Sequence, residues 1–271
     1  MKTKFNLVCD TFTHHTGNHT GYSVHGKISK YIEWCFNNYS SPTFYVDDKI
    51  DNAFNDSCEE KYAWLLESKY MIPNIVNKIK ENPRKYLEHF KYIFTHDEEL
   101  LSLDSKFKWV PAQGVWIQNP AVYNKSKLVS FITSNKNITA GHKLRLQWLE
   151  YFKDKVDVFG RGFNEIEFKE IGLCDYMFSI VIESGLYDTY FTEKILDCFA
   201  SGTIPIYLGT DKIKNYFNED GIISLTKNLT LSEELYYSKI TAVNDNFNKV
   251  QQYEILEDFI YLNYFNKNNE Q

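Results

Sequence analysis

A chain of 271 residues is longer than the commonest single domain and long enough for two of ordinary size. Its 43% hydrophobic and 17% aromatic content argues against global disorder, because that much apolar surface can fill a packed core. A net charge of −6 argues against a general nucleic-acid binder, which needs a basic face to displace counterions, so any anion is held locally by a few placed cations.

The opening segment "MKTKFNLVCDTFTHH" lacks the long apolar run of a signal peptide or membrane anchor. The expectation is a cytoplasmic protein with no membrane span, at work in a bacterial or virus-infected cytosol. "KFNLVCD" reads as a first core strand, "TFTHHTGNHTGYSVHGK" as a polar loop and "ISKYIEWCF" as an amphipathic helix. "TFYVDD" is a second strand ending in acids, and "EEKYAWLLES" holds a third apolar run. "IPNIVNKIKENPRKYLEHF" is a helical pattern broken at Pro83. "YIFTHDEELLSL" gives a strand, a Thr/Asp helix start and a short helix, and "KWVPAQGVWI" closes the half.

The polar "QNPAVYNKSK" places a boundary between domains 1–122 and 123–271. Beyond it strands and helices alternate: "KLVSFITS", "AGHKLRLQWLEYFKD", "VDVFG", "YMFSIVIES", "TEKILDCFAS" and "TIPIYLG". "TDKIKNYF" and "YEILEDFIYLNYF" read as further helices. Nearly continuous apolar strands between helices mean parallel sheets covered on both faces. The expected architecture is α/β with two lobes and a cleft between them, and ligands at the carboxyl ends of the strands. Cys9, Cys35, Cys58, Cys174 and Cys198 are odd in number and show no CxxC spacing, which fits reduced thiols better than a disulfide frame or a zinc site.

Several side chains stand at predicted strand ends. Phe191, Ile195, Leu196, Phe199 and Ala200 form a helical apolar stripe, with Glu193, Lys194, Asp197 and Ser201 mostly on the other side. The Glu193–Lys194 pair reads either as a solvated helix start or, with the unpaired N–H groups beside it, as an anion holder. Arg161 follows a glycine after "VDVF" and is either a turn arginine in solvent or a fork for a pyrophosphate. Ser134 and Asn135 suit phosphate or ribose contacts and equally suit helix capping. Arg145, on the next helix, is of a kind most often simply solvated. Glu67 follows "YAWLL" and is either a glutamate in water or a desolvated base with a raised pKa.

The order of these pieces closely resembles the donor-binding domain of the α1,3/α1,4-fucosyltransferases, glycosyltransferase family 10. The similarity runs through "KLVSFITSNKN", "VDVFGRG" and "YMFSIVIESGLYDTYFTEKILDCFASGTIPIYLG", from Lys127 to about Phe217. Fainter likeness extends to "KYAWLLESKYMIPNI", "YIFTHDEELL" and "KWVPAQGVWI". The resemblance implies a GT-B fold of two Rossmann-like domains, an N-terminal acceptor lobe and a C-terminal donor lobe. It implies inverting transfer of fucose from GDP-fucose to an oligosaccharide hydroxyl. It puts the catalytic base at Glu67 and the nucleotide sugar against Tyr190, Glu193 and Lys194, with Lys194 toward the diphosphate and Glu193 toward the ribose. Glu183 matches the glutamate of the family's "FEN", Arg161 a basic residue found in part of the family, and Arg145 or Lys143 the helix cation that meets the phosphates. Ser184 stands where the family has Asn, which leaves the donor-sugar pocket open: another nucleotide sugar, or a non-catalytic nucleotide-sugar or glycan-binding protein, are the alternatives.

Metal readings are weaker. His14, His15, His19 and His25 are irregularly spaced. Asp47 and Asp48 imitate an acidic diphosphate–metal motif, but lie in the opposite half from the cations. No metal cofactor is expected to be required, and Mn2+ or Mg2+ are expected at most to stimulate.

Overall fold

The computed structural model describes residues 2–10 and 27–266. The four histidines of the N-terminal loop lie outside the described residues. Two compact units divide the chain: Met1–Gly114 with Ile255–Gln271, and Val115–Glu254.

The first unit is built on six parallel strands: β1 (Thr3–Val8), β2 (Ile32–Cys35), β3 (Thr43–Val46), β4 (Lys61–Trp64), β5 (Tyr92–Thr95) and β6 (Phe107–Trp109). Their order is β2-β1-β3-β4-β5-β6, so the sequence of strands reverses direction between β1 and β3. Period-two alternation sends Phe5, Phe44, Tyr62 and Phe94 to one face, where Phe44 lies 5.2 Å from Phe5 and 4.9 Å from Tyr62. The other face puts Tyr45, Ala63 and Ile93 into a core with Ile75, Val76 and Ile79 of α1 (Pro73–Glu81). The predicted break at Pro83 is real: Asn82 ends α1, and its side chain caps α2 (Pro83–His89) by accepting from the Lys85 N–H. The carboxylate of Asp97 likewise caps the short α3 (Glu98–Leu101), accepting from the Glu99 and Leu100 N–H groups at 3.0 Å.

The helix expected over "ISKYIEWCF" is instead an edge strand, β2, paired parallel to β1. Ile28, Tyr31, Ile32 and Cys35 fit a helical stripe, but Ile28 is 53% exposed and burial alternates, with Ile32 and Trp34 in and Glu33 out. The last helix, α9 (Leu256–Tyr264), also corrects the expected division, since it joins the first unit. Asp258 accepts from the Lys30 N–H at 2.9 Å and from the Ser29 hydroxyl, Tyr261 stacks on Tyr31 at 5.0 Å, and Phe265 sits 5.0 Å from Phe5.

The second unit carries β7 (Lys127–Ile132), β8 (Asp157–Phe159), β9 (Tyr176–Ile182), β10 (Ile204–Leu208) and the short β11 (Ile223–Ser224), all parallel in the order β11-β10-β9-β7-β8. Here the order reverses between β7 and β9. Helices α4 (Ala140–Phe152), α5 (Glu170–Leu173), α6 (Glu193–Ser201), α7 (Glu233–Ser238) and α8 (Ile240–Val250) complete it. The junction falls at Gly114/Val115, earlier than the expected 122/123, because the backbone after it is already tied into this unit. The Val115 N–H donates to the Tyr253 carbonyl, the Trp116 N–H to Asp197 and the Ala121 N–H to the Ala200 carbonyl. "TDKIKNYF" forms only a 3-10 turn, Asp211–Asn215: Thr210 caps it, and Ile213 alone of its five residues is buried.

Candidate functional site

The carboxyl edge of the second sheet, where the strand order reverses, collects most of the predicted residues. β9 is buried along its whole length and delivers Glu183, which is fully buried at its end. A buried carboxylate needs donors, and Thr192 supplies two: its N–H at 3.0 Å and its hydroxyl at 2.7 Å. The same hydroxyl caps α6 by accepting from the Lys194 N–H. Thr192 thus sets the helix start against the strand end, and this brings the Lys194 ammonium 3.7 Å from Glu183 and 3.2 Å from Glu193. Ser184 and Tyr190 share a hydrogen bond of 2.9 Å, and the Tyr190 ring stacks on Tyr187 at 4.5 Å.

The helix start is therefore not a solvated ion pair. Glu193 is 9% exposed, and Asp197, one turn on, is fully buried although the helical stripe put it on the polar side. Lys169, just ahead of α5, accounts for both: its ammonium lies 2.7 Å from Asp197 and 3.5 Å from Glu193, over the ring of Trp116. Asp197 also accepts from the Trp116 N–H at 2.6 Å. Burial alone would raise the Glu193 carboxyl, but Lys194 and Lys169 outweigh it and hold it at about 2. Glu183, with more burial and less compensation, is pushed above the usual carboxylate range despite Lys194.

α4 closes the group from the other side of the switch point. Its start packs directly on the chain just past β9, since a Cβ on Gly141 would stand 2.3 Å from the Ser184 carbonyl oxygen, so only glycine permits the approach. Thr139 caps the helix with an unusual box in which His142 returns the bond to the Thr139 N–H. Burial, with the charges of Arg145, Lys136 and Lys194, lowers the His142 pKa to about 4, so the imidazole is neutral and able to accept. Arg145 lies one turn on and is 5% exposed, while Lys143 points outward and is exposed. Burial pulls the Arg145 pKa down, and Glu193 and Glu183 partly offset this. Its Nε is buried without a hydrogen-bond partner among the described residues. A buried guanidinium with an unanswered donor, beside a lysine, is suited to an incoming anion.

Ser134, Asn135 and Arg161 form a neighbouring group on the ends of β7 and β8. Gly160 and Gly162 adopt φ values of +111° and +85°, which turn the chain back so that the Asn135 N–H donates to the Arg161 carbonyl. Arg161 and Asn135 are exposed and Ser134 is half-buried. No carboxylate pairs with Arg161 among the described residues, so the cation faces outward.

Glu67 belongs to the first unit, just past β4, and is half-buried. Its N–H and that of Leu66 donate to Asp47 Oδ1 at 3.3 and 2.8 Å. Asp47 is buried at the end of β3, and its pKa is raised to about 7, first by burial and then by the charges of Glu67 and Asp48. This use of Asp47 differs from the metal motif weighed from sequence. Among the described residues no group of three or more His, Cys, Asp or Glu side chains gathers as a metal site. None of the five cysteines forms a disulfide.

Sequence reasoning missed Lys169 and Thr192, and it missed the roles of Asp197 and Asp47. A Thr before Glu-Lys is a readable cap signal for Thr192; the others act through contacts distant in sequence.

The sequence model of the family described as "Glycosyltransferase family 10 (fucosyltransferase) C-term" matches residues 122–266, more than half of the chain. The 4-galactosyl-N-acetylglucosaminide 3-alpha-L-fucosyltransferase 9 of Bos taurus is 28% identical over 160 residues, 55% of this chain and 40% of that protein. The Alpha-(1,3)-fucosyltransferase FucT of Helicobacter pylori is 31% identical over 85 residues, 31% of this chain and 18% of that protein. The chain thus spans less than half the length of these curated relatives in the matched stretches. A crystal structure of an alpha1,3-fucosyltransferase superposes with a TM-score of 0.53 at 16% identity, over 92% of this chain and 81% of that one. Another, with GDP, superposes with a TM-score of 0.51 at 14% identity, over 96% and 90%. The fold is the GT-B type with two parallel-sheet α/β units. Among the described residues no helix is long and apolar enough to cross a membrane.

Proposed function

Because the chain belongs to glycosyltransferase family 10, the fucosyltransferases, we propose that it moves fucose from GDP-fucose to a glycan hydroxyl, with inversion at the anomeric carbon and α1,3 regiochemistry. The second unit is the donor domain in this reading and the first the acceptor domain. The observation that carries it is the buried Arg145 with its unanswered Nε, set beside Lys194 and the N-terminus of α6 at the switch point of the matched stretch.

Glu67 removes the proton from the acceptor hydroxyl as that oxygen attacks the anomeric carbon opposite the nucleotide. The C–O bond to the diphosphate breaks, and negative charge grows on the departing oxygen. Lys194, Arg145, the outward Arg161 and the α6 N–H groups stabilise that charge more as it develops, which is what lowers the barrier. Glu193, kept ionised by Lys169 and Lys194, accepts hydrogen bonds from the ribose hydroxyls, and Ser134 and Asn135 contact the phosphates or ribose. Tyr190 is held by Ser184 and shapes the donor-sugar pocket. Side chains supply the countercharge, so the reaction requires no metal, and Mn2+ or Mg2+ only stimulates. Five cysteines, odd in number and without CxxC spacing, fit reduced thiols in a cytoplasmic compartment.

A thermal-shift series with GDP, GDP-fucose, UDP and UDP-sugars tests the donor. Ligands that bind only the folded protein raise Tm by mass action. GDP and GDP-fucose are expected to raise it and the UDP compounds to leave it in place. Selective stabilisation by UDP compounds would replace the donor. Stabilisation by GDP-fucose with no fucose transferred to any of a panel of galactose- and N-acetylglucosamine-terminated oligosaccharides would favour a binding protein.

A further inference from the structure

The mechanism above uses Glu67 and leaves Asp47 idle, yet Asp47 is the more unusually built of the two. It has a φ of +50°, in the left-handed region that side chains rarely adopt, at the point where β3 runs into a 3-10 turn, Asp47–Asn55. Its side chain is buried. Oδ1 accepts the backbone N–H groups of Leu66 and Glu67, at 2.8 and 3.3 Å, and Oδ2 is buried with no hydrogen-bond partner among the described residues. A purely structural hook for two amides would need one oxygen, which asparagine also offers. The second oxygen, desolvated and unanswered, has no structural use.

We propose that Asp47 is a positioning residue for Glu67: it pins the peptide that carries Glu67 and couples its own buried carboxyl to the Glu67 carboxylate. The inference rests on the reading of Glu67 as the base. Among the described residues, the charges around Asp47 leave it no cation to pair with. Asp48, from its own turn, and Glu67, from the end of β4, are acids that disfavour its ionisation. The lysines packed about the same turn are committed elsewhere: Lys61 of β4 donates to the Ala53 and Asp56 carbonyls, Lys78 of α1 pairs with Asp51, and Lys49 with Asp10. Two carboxylates in such a place titrate as a pair, with one proton retained after the other has left. Below neutrality the proton stays on Asp47. As Asp47 ionises, its charge strengthens the proton affinity of Glu67 and makes it a better base.

The test is the pH profile of kcat/KM for the full chain, with Asp47→Asn beside the parent. Asparagine tolerates the left-handed backbone and still accepts the two amides, but cannot titrate. The parent is expected to gain activity through about pH 7. In Asp47→Asn that step disappears and the plateau falls several-fold, while the donor Kd is unchanged. A profile superimposable on the parent overturns the proposal. Asp47→Ala, which loses the hooks as well, is expected to lose more kcat than Asp47→Asn; if it does not fold, the asparagine variant alone decides. Glu67→Gln run alongside separates the two ideas. If it transfers at the parental rate, the base reading falls; if it is inactive and the Asp47→Asn profile is unmoved, only the role of Asp47 falls.

Discussion

The carboxyl edges of the two sheets share a topology and differ in electrostatic plan. On the second sheet Glu183, Glu193 and Asp197 are buried among Lys169, Lys194 and Arg145, so every acid has a base within reach. On the first sheet Asp97 follows this pattern, lying 3.5 Å from Lys69 and 3.2 Å from Lys80, but Asp47 is buried beside Glu67 with no ion-pair partner among the described residues. A balanced network holds fixed geometry and hands cations to an arriving anion without reorganising. A buried acid without a cation beside it among the described residues does the opposite work: Asp47 keeps a proton affinity near neutrality beside the peptide of Glu67.

If that contrast is right, variants on the two edges fail differently. The largest effect is expected at Glu67. Glu67→Gln keeps the shape and loses the base, so transfer should drop about 10²- to 10⁴-fold, while calorimetric titration with GDP gives the parental Kd. Transfer at the parental rate would break the comparison from the first sheet's side. Lys194→Ala should act on binding: losing a charge-assisted contact of about 1.5–3 kcal/mol weakens GDP about 10- to 100-fold. Because Glu183 then keeps only its Thr192 donors, the variant should also melt earlier. An unchanged GDP Kd in a folded Lys194→Ala protein would remove the diphosphate role.

How far the sequence foretold this depends on whether each contact is local. The run "TEKILDCFASGTIPIYLG" shows its helix, its stop at Gly202 and its buried strand in its own spacing, and all three are observed. β2 was misread because four apolar residues happened to fit a helical stripe, and only the edge of β1 beside them decides for a strand. Glu193 and Asp197 looked exposed for a similar reason. Their burial depends on Lys169 and on the chain at Trp116, neither of which helix periodicity reveals. Asp47 was legible only as an acid at a strand end. Its role comes from two amides just past the end of the neighbouring strand, a register that no local pattern encodes.

Arg161 sharpens the comparison with the smallest change. It is exposed, on a turn set by two glycines, and takes no part in the balanced network. An exposed charge is screened by water and salt and contributes about 0.2–1 kcal/mol to a contact. Arg161→Ala should therefore weaken GDP by less than about fivefold, with Tm unchanged, and the loss should shrink further as salt rises from low to physiological concentration. Lys194 behaves otherwise: its ammonium is only partly exposed and sits between Glu183 and Glu193, so salt screens it less and more of the Lys194→Ala deficit should persist at the same salt. Should Arg161→Ala cost more affinity than Lys194→Ala, the diphosphate is held by the turn and not by the helix start, and the network of α6 is then a scaffold for Glu193.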